Sequence, residues 1–332
     1  MSDGVRISPR TIPVPSSISP EAQAMLKRMV GEDGVPLNAL HVMPAPDDHD
    51  GWRRMQATVA EHFAVATAGQ AASLRASLHT LRVENATVHV ATPSDHTGDA
   101  YIDLHGGALV FGGGENCRVA AGRQADLHNM VCYGVDYRMP PDHPYPAALD
   151  DCMATYRHVL KHHAPDRIVI GGRSAGGNLA AALVLRARDE GLPLPAALVL
   201  LSPEVDLTES GDSFHVNRTV DVVLPNPLMG TNLLYAAGAD LAHPYLSPLF
   251  GDFSRGFPPT FLQSGTRDLF LSNTVRLHRA LRQARVPAQL QCSKRCPMAV
   301  SWARRKMQSL HRKSAHLCVN TCNALDTFTD IP

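Results

Sequence analysis

Ser174 is the residue in this chain best placed to act as a nucleophile. It sits in Ile168-Val169-Ile170-Gly171-Gly172-Arg173-Ser174-Ala175-Gly176-Gly177-Asn178, between an apolar run and an Ala/Leu-rich stretch. Gly172 and Gly176 flank it as G-x-S-x-G, the pattern of a strand that turns at once into a helix and exposes a serine hydroxyl on the turn. Acyl transfer also needs donors aimed at the developing oxyanion. His105-Gly106-Gly107-Ala108 follows a second apolar run, so the amides of Gly106 and Gly107, with that of Ala175, are the candidate oxyanion hole. His105 reads as a residue that holds its loop by hydrogen bonds. Asp268 ends a run, Phe261 to Asp268, that enters a Gly-containing turn, where an acid could orient a histidine. Its competing role is a cap for a helix starting near Asn273.

The elements that would position these residues alternate in type. Val88–Val90, Ala100–Leu104, Val131–Tyr137, Arg167–Ile170, Ala196–Leu201 and Thr260–Gln263 read as short strands. Ala120–His128, Ala147–Lys161 and Leu179–Arg188 read as helices, the last closed by Gly191 and Pro193. Such alternation predicts a mostly parallel sheet with helices on both faces, and ligand sites at the carboxyl ends of its strands. Residues 1–80 read as a helical preface. Ser19 caps a first helix with Pro20 at its start and Ala22, Met25, Leu26 and Met29 on one face, and a second helix spans Gly51–Ala66. Asp206 to Asp240 breaks the rhythm with Pro, Gly and Asn and reads as a lid insertion.

The chain has 332 residues, with 31 basic and 31 acidic side chains. That balance gives no global field for nucleic acid or an anionic membrane surface. It conceals an abrupt shift: 1–268 holds 20 basic and 29 acidic residues, whereas Leu269–Leu325 holds eleven basic and no acidic ones. Seven cysteines, an odd number at low density, suit a reducing compartment. No signal-peptide pattern and no apolar run of about 20 residues is present. A soluble, cytoplasmic protein is expected.

Taken together, several stretches resemble the hormone-sensitive-lipase-like family of α/β-hydrolase carboxylesterases over roughly residues 10–291. They are His105–Gly107, Asp136-Tyr137-Arg138 with Pro141–Ala148, Gly172–Asn178, Ser202–Thr208, Tyr245–Leu249 and Gly265–Asp268. The resemblance implies an α/β-hydrolase fold with a helical cap. It implies attack by Ser174 on a short-chain acyl ester, an acyl-enzyme, and hydrolysis by water, with no cofactor or metal. The partner is then a small-molecule ester, with no nucleic acid and no membrane span. Residues 1–80 and the insertion at 206–240 would form the cap over a core of residues 81–291. Serine before acid is also the chain order of this fold. Arg173 departs from the small or acidic residue usual before the serine, which leaves the subfamily open.

The family's base histidine lies about thirty residues beyond the acid. Here that place reads Cys296-Pro297-Met298-Ala299-Val300-Ser301-Trp302, with Met298 where the histidine belongs. Methionine cannot accept the serine proton. The codons for Cys-Pro-Met-Ala, read one nucleotide earlier, permit Met-Pro-His-Gly, and Val300–Lys306 in that frame permits Gly-Phe-Leu-Gly-Ala-Pro-Glu. A single-base shift near Gln289–Cys292 would explain the vanished acids and the four late cysteines of the atypical tail, 292–332. It would also remove the last sheet strand and the closing helix, and the exposed edge that this leaves favours association, leaving a homo-oligomer open. A zinc site from Cys292, Cys296, Cys318, Cys322, His311 and His316 is disfavoured by spacing. His311 or His316 as a returning base would need hydrogen-bond reach of Ser174 and Asp268. The alternative function is a non-catalytic small-molecule-binding protein on the same capped scaffold, since a plant hormone receptor related to this family also lacks the histidine. Nucleotide binding by Gly172-x-Ser174-x-x-Gly177 is discounted, because the middle glycine is missing.

Overall fold

The computed structural model describes Gly4 and residues 8–293. Eight strands form one sheet: β1 (Ser77–Val83), β2 (Ala86–Thr92), β3 (Ala100–Leu104), β4 (Val131–Asp136), β5 (Ile168–Arg173), β6 (Ala197–Leu201), β7 (Thr260–Gly265) and β8 (Ala288–Ser293). Their spatial order is β1-β2-β4-β3-β5-β6-β7-β8. β1 and β2 pair antiparallel, as do β2 and β4, and every later pair is parallel. Strands buried on both faces read as continuous apolar runs, and β3 and β6 are buried at every position.

Helices cover both faces. α3 (Glu115–His128) sets Ala121 and Ala125 against Tyr101, Cys132 and Val169. On the other face α4 (Ala147–Val159) and α5 (Ala175–Asp189) bury Leu149, Met153, Leu179 and Leu183 with Ile102, Val135 and Ile170. Each such aliphatic side chain contributes about 1.5–3 kcal/mol by leaving water, before entropy is counted. α8 (Leu271–Gln283) packs beside β7 and β8.

The elements read from sequence are present with small shifts of boundary, and two strands go beyond that reading. β1 begins at Ser77, inside the segment read as helical preface. Only Val83 of β1 is buried, so its sequence carries little apolar alternation. The last strand, expected to be lost near 291, is formed: β8 runs to Ser293 in register with β7 from Thr260↔Ala288 to Gly265↔Ser293. A ladder of backbone bonds tolerates the mixed side chains Ala-Gln-Leu-Gln-Cys-Ser that hide this strand from pattern reading. The closing helix and residues 294–332 lie outside the described residues.

Before the sheet come α1 (Pro20–Arg28), where Ser19 Oγ accepts from Ala22 N at 3.3 Å, and α2 (His49–Ala71). α1 buries Ala22 and Leu26, and α2 buries Trp52 against Val110 and Leu234. Beyond that anchor α2 is largely exposed, with Val65 80% exposed, while it still packs beside α3. The 206–240 segment carries two short helices, α6 (Ser213–Val216) and α7 (Met229–Ala236). No described helix is long and apolar enough to cross a membrane.

Candidate active site

The strand order reverses between β3 and β5. Leu104 and Gly172 are register partners there, so the loops leaving both strands start at the same level of the sheet. One loop carries Gly106 and Gly107, and the other carries Ser174.

Ser174 has φ 55 and ψ −123, a conformation a non-glycine residue rarely holds. Its surroundings over-determine it. Ser174 N donates to Leu201 O at 3.0 Å, and Ser174 O accepts from Asn178 N at 3.1 Å and from Glu204 N at 3.2 Å. The flanking glycines are there for space. A Cβ on Gly172 would stand 2.2 Å from Gly176 O, and one on Gly176 would stand 1.8 Å from Leu104 O. The G-x-S-x-G spacing thus reflects a strand, a turn and a helix start pressed together with no room for a methyl group.

The neighbouring loop is as tight. A Cβ on Gly106 would lie 3.4 Å from Ser174 Cβ. Gly107, Ala108 and Leu109 all have positive φ, at 130, 53 and 64, and Gly107 O accepts from Val110 N and Phe111 N at 3.0 and 2.8 Å. His105 holds this loop as expected. Its Nδ1 donates to Gly106 O at 3.0 Å and its ring stacks on Tyr137 at 4.0 Å, while Tyr137 Oη donates to His105 O at 2.8 Å. Burial pushes the His105 pKa down, favouring the neutral ring. From α2, Gln56 Nε2 donates to Val110 O and Pro140 O, both at 2.8 Å. A groove of about 380 Å³ lies between α2 and residues 110–116.

Asp268 follows β7 and is fully buried. Oδ2 accepts from Ser264 Oγ at 2.8 Å, and Oδ1 accepts from Phe270 N at 2.8 Å. Asp268 stands three residues before α8, whose N-cap is Phe270 without a side-chain cap bond, so the bond from Phe270 N closes a local turn and the capping role is not present. Burial raises the Asp268 pKa, while the hydroxyls of Ser202 and Ser264 oppose the shift. Ser202 joins the two loops: its N donates to Gln263 O at 2.7 Å, at the end of the strand next to Ser174. Arg173 is held within electrostatic range of Asp268 and Asp103, and burial brings its pKa down to about 10. The residue that departs from the family's pattern is thus a half-buried cation beside the acid.

Ser174, Gly106, Gly107 and Ala175 are brought together, and Asp268 stands two strands along the same sheet end. Met298, the expected base position, lies outside the described residues, as do Cys296, His311, His316, Cys318 and Cys322. Cys292 is a free, exposed thiol on β8. Among the described residues no group of three or more His, Cys, Asp or Glu side chains could hold a metal ion. Sequence reasoning did not pick out Glu204 as a functional candidate, although it is fully buried with its amide on Ser174 O. Burial pushes its carboxyl up to about 8. Asp221, buried near Asp268 and raised to about 7, was likewise not singled out.

Comparison with known proteins agrees with this fold. Residues 101–300 match the model of a family with the α/β-hydrolase fold, and the chain belongs to that family. An acetyl-hydrolase of Streptomyces hygroscopicus is 33% identical over 207 residues, covering 62% of this chain and 69% of the relative. An esterase of Acinetobacter venetianus is 34% identical over 186 residues, covering 55% and 61%. The match thus spans less than two thirds of the second relative's length. Among solved structures, esterase E25 superposes with a TM-score of 0.88 at 33% identity, covering 96% of this chain and 99% of that one. An esterase from the bacterial hormone-sensitive lipase family gives 0.75 at 27% identity, covering 92% and 99%. The chain is a carboxylesterase-type α/β-hydrolase, and its solved neighbours include members of the bacterial hormone-sensitive lipase family.

Proposed function

We propose that the protein hydrolyses short-chain carboxylic esters through Ser174. The observation that carries this reading is the contact of Gly106 with Ser174 at the switch point of the sheet, which sets backbone amides beside a strained serine. In this reading Ser174 Oγ attacks the ester carbonyl, and the negative charge developing on its oxygen is met by the amides of Gly106, Gly107 and Ala175. The C–O bond of the leaving alcohol then breaks, an acyl-serine remains, and water hydrolyses it. Preorganised donors of this kind each contribute about 10²–10³ in rate. Asp268 would orient the base that takes the serine proton. The N-terminal helices and the 206–240 insertion form the cap over the acyl pocket, and a cytoplasmic location fits the low cysteine density. The relative named as an acetyl-hydrolase supports a small acyl group. Hydrolysis of p-nitrophenyl acetate and butyrate, with Ser174→Ala alongside, tests the reading, and equal rates for both proteins would refute it.

Met298 at the histidine's place favours a second reading, a binding protein on the same capped scaffold. Tight binding of an ester or acid with no turnover, from a gene whose frame proves intact, would select it.

A further inference from the structure

The 206–240 insertion meets the acid loop, residues 266–272, through a set of buried polar contacts. Ser213 Oγ donates to Leu269 O at 2.6 Å and accepts from Ser272 N at 2.9 Å, while Ser272 Oγ accepts from Ser213 N at 2.9 Å. Asn217 Nδ2 donates to the carbonyl oxygen of Asp268 itself at 2.9 Å, and more distantly to Thr266 O at 3.4 Å. Asp221 Oδ2 accepts from Leu269 N at 2.9 Å. Its Oδ1 accepts from Val223 N and Leu224 N at 2.9 and 3.2 Å. The peptide unit joining Asp268 to Leu269 is therefore gripped at both ends: its oxygen by Asn217 and its N–H by Asp221.

The side chains that make these contacts are shielded from solvent. Ser213, Asn217 and Asp221 are 2%, 8% and 0% exposed. Placing a second buried carboxylate within reach of Asp268's charge is costly, and the three amide donors to Asp221 offset that cost. A segment serving only as a cover needs no ionisable group there. What Asp221 supplies, and an apolar residue could not, is a directional hold on the backbone of the acid loop. The N-terminal segment joins the same point. Asn38 Nδ2 donates to Val223 O at 2.9 Å, Val222 packs on Ala22 and Leu26, and Arg267 Nη2 donates to Pro13 O at 2.9 Å.

We propose that Asn217 and Asp221 are positioning residues for Asp268, through which the insertion sets the orientation of the acid. The inference rests on the reading of Asp268 as the acid of an ester hydrolase. Its test uses the full chain and Asn217→Ala and Asp221→Asn, with Ser213→Ala as a third variant should Asp221→Asn fold poorly. Hydrogen exchange at Leu269 and Phe270 is expected to accelerate at least tenfold, with α4 amides unchanged. For p-nitrophenyl acetate, kcat is expected to fall at least tenfold with KM within twofold. Unchanged exchange in the acid loop, or equal acceleration throughout the protein, would overturn the proposal, and so would a rise in KM at constant kcat. If the unmodified chain turns over no ester, the reading of its function falls, while the exchange result still decides whether these side chains hold the acid loop.

Discussion

Gly106 lies against Ser174: a methyl group on its Cα would stand 3.4 Å from the serine Cβ and 3.0 Å from the Arg173 carbonyl oxygen. Neighbouring backbone cannot yield without moving the elbow. Gly106→Ala should therefore displace one candidate oxyanion donor and lower kcat by about 10–10²-fold with a smaller change in KM. Steady-state kinetics on p-nitrophenyl acetate checks this, and an unchanged kcat would separate the loop from the chemistry.

Gly176 makes a stricter demand. Its added Cβ would fall 1.8 Å from Leu104 O and 2.7 Å from His105 O, both backbone atoms at the end of β3. Gly176→Ala should cost about 3 kcal/mol or prevent folding, by overpacking the join of strand and helix. Thermal unfolding reads it: a Tm within a degree or two of the parent would mean that the elbow has slack the geometry does not show.

Glu204 gives a pH signature. Burial raises its carboxyl from the ordinary 4.5 to about 8 in the folded state. Folding therefore favours the protonated form. The contribution is fully present below about pH 4.5 and is lost as pH rises toward about 8. Glu204→Gln, neutral at every pH, should match the parent's Tm near pH 4 and exceed it by a margin that widens up to about pH 8. A constant difference across that range would show that Glu204 is charged throughout.

Much of this site was legible in the chain because its parts are local. Gly172, Ser174 and Gly176 stand two residues apart, Gly106 and Gly107 follow the buried five-residue strand β3, and Asp268 follows the buried six-residue strand β7. What escaped was long-range or polar. Asp221 and Asn217 sit in a segment without periodicity, and their roles arise only when it folds onto a loop some fifty residues away. β1 and β8 escaped because edge strands need not alternate apolar and polar residues. α2 outruns its apolar stripe to Ala71, carried by an alanine-rich, helix-favouring second half with little buried surface. Arg173 was visible as an oddity, and its proximity to Asp268 was not.

Met298 carries a prediction about the gene. The codons for this stretch, read in the frame shifted near Gln289–Cys292, permit a histidine at that point followed by Gly-Gly-Phe-Leu-Gly-Ala-Pro-Glu. A frame-restored protein should exceed the present chain in kcat by about 10³-fold or more, the scale on which removing a triad base impairs a serine hydrolase. Resequencing that shows an unbroken frame, with the restored protein no faster, would leave the tail as a genuine part of this chain.

The most direct test of the whole account is the rate of p-nitrophenyl acetate hydrolysis by the chain beside Ser174→Ala, at equal concentration and with folding verified for both. The account predicts measurable turnover by the parent and a fall to the background rate in the variant. Equal rates in the two proteins would contradict it.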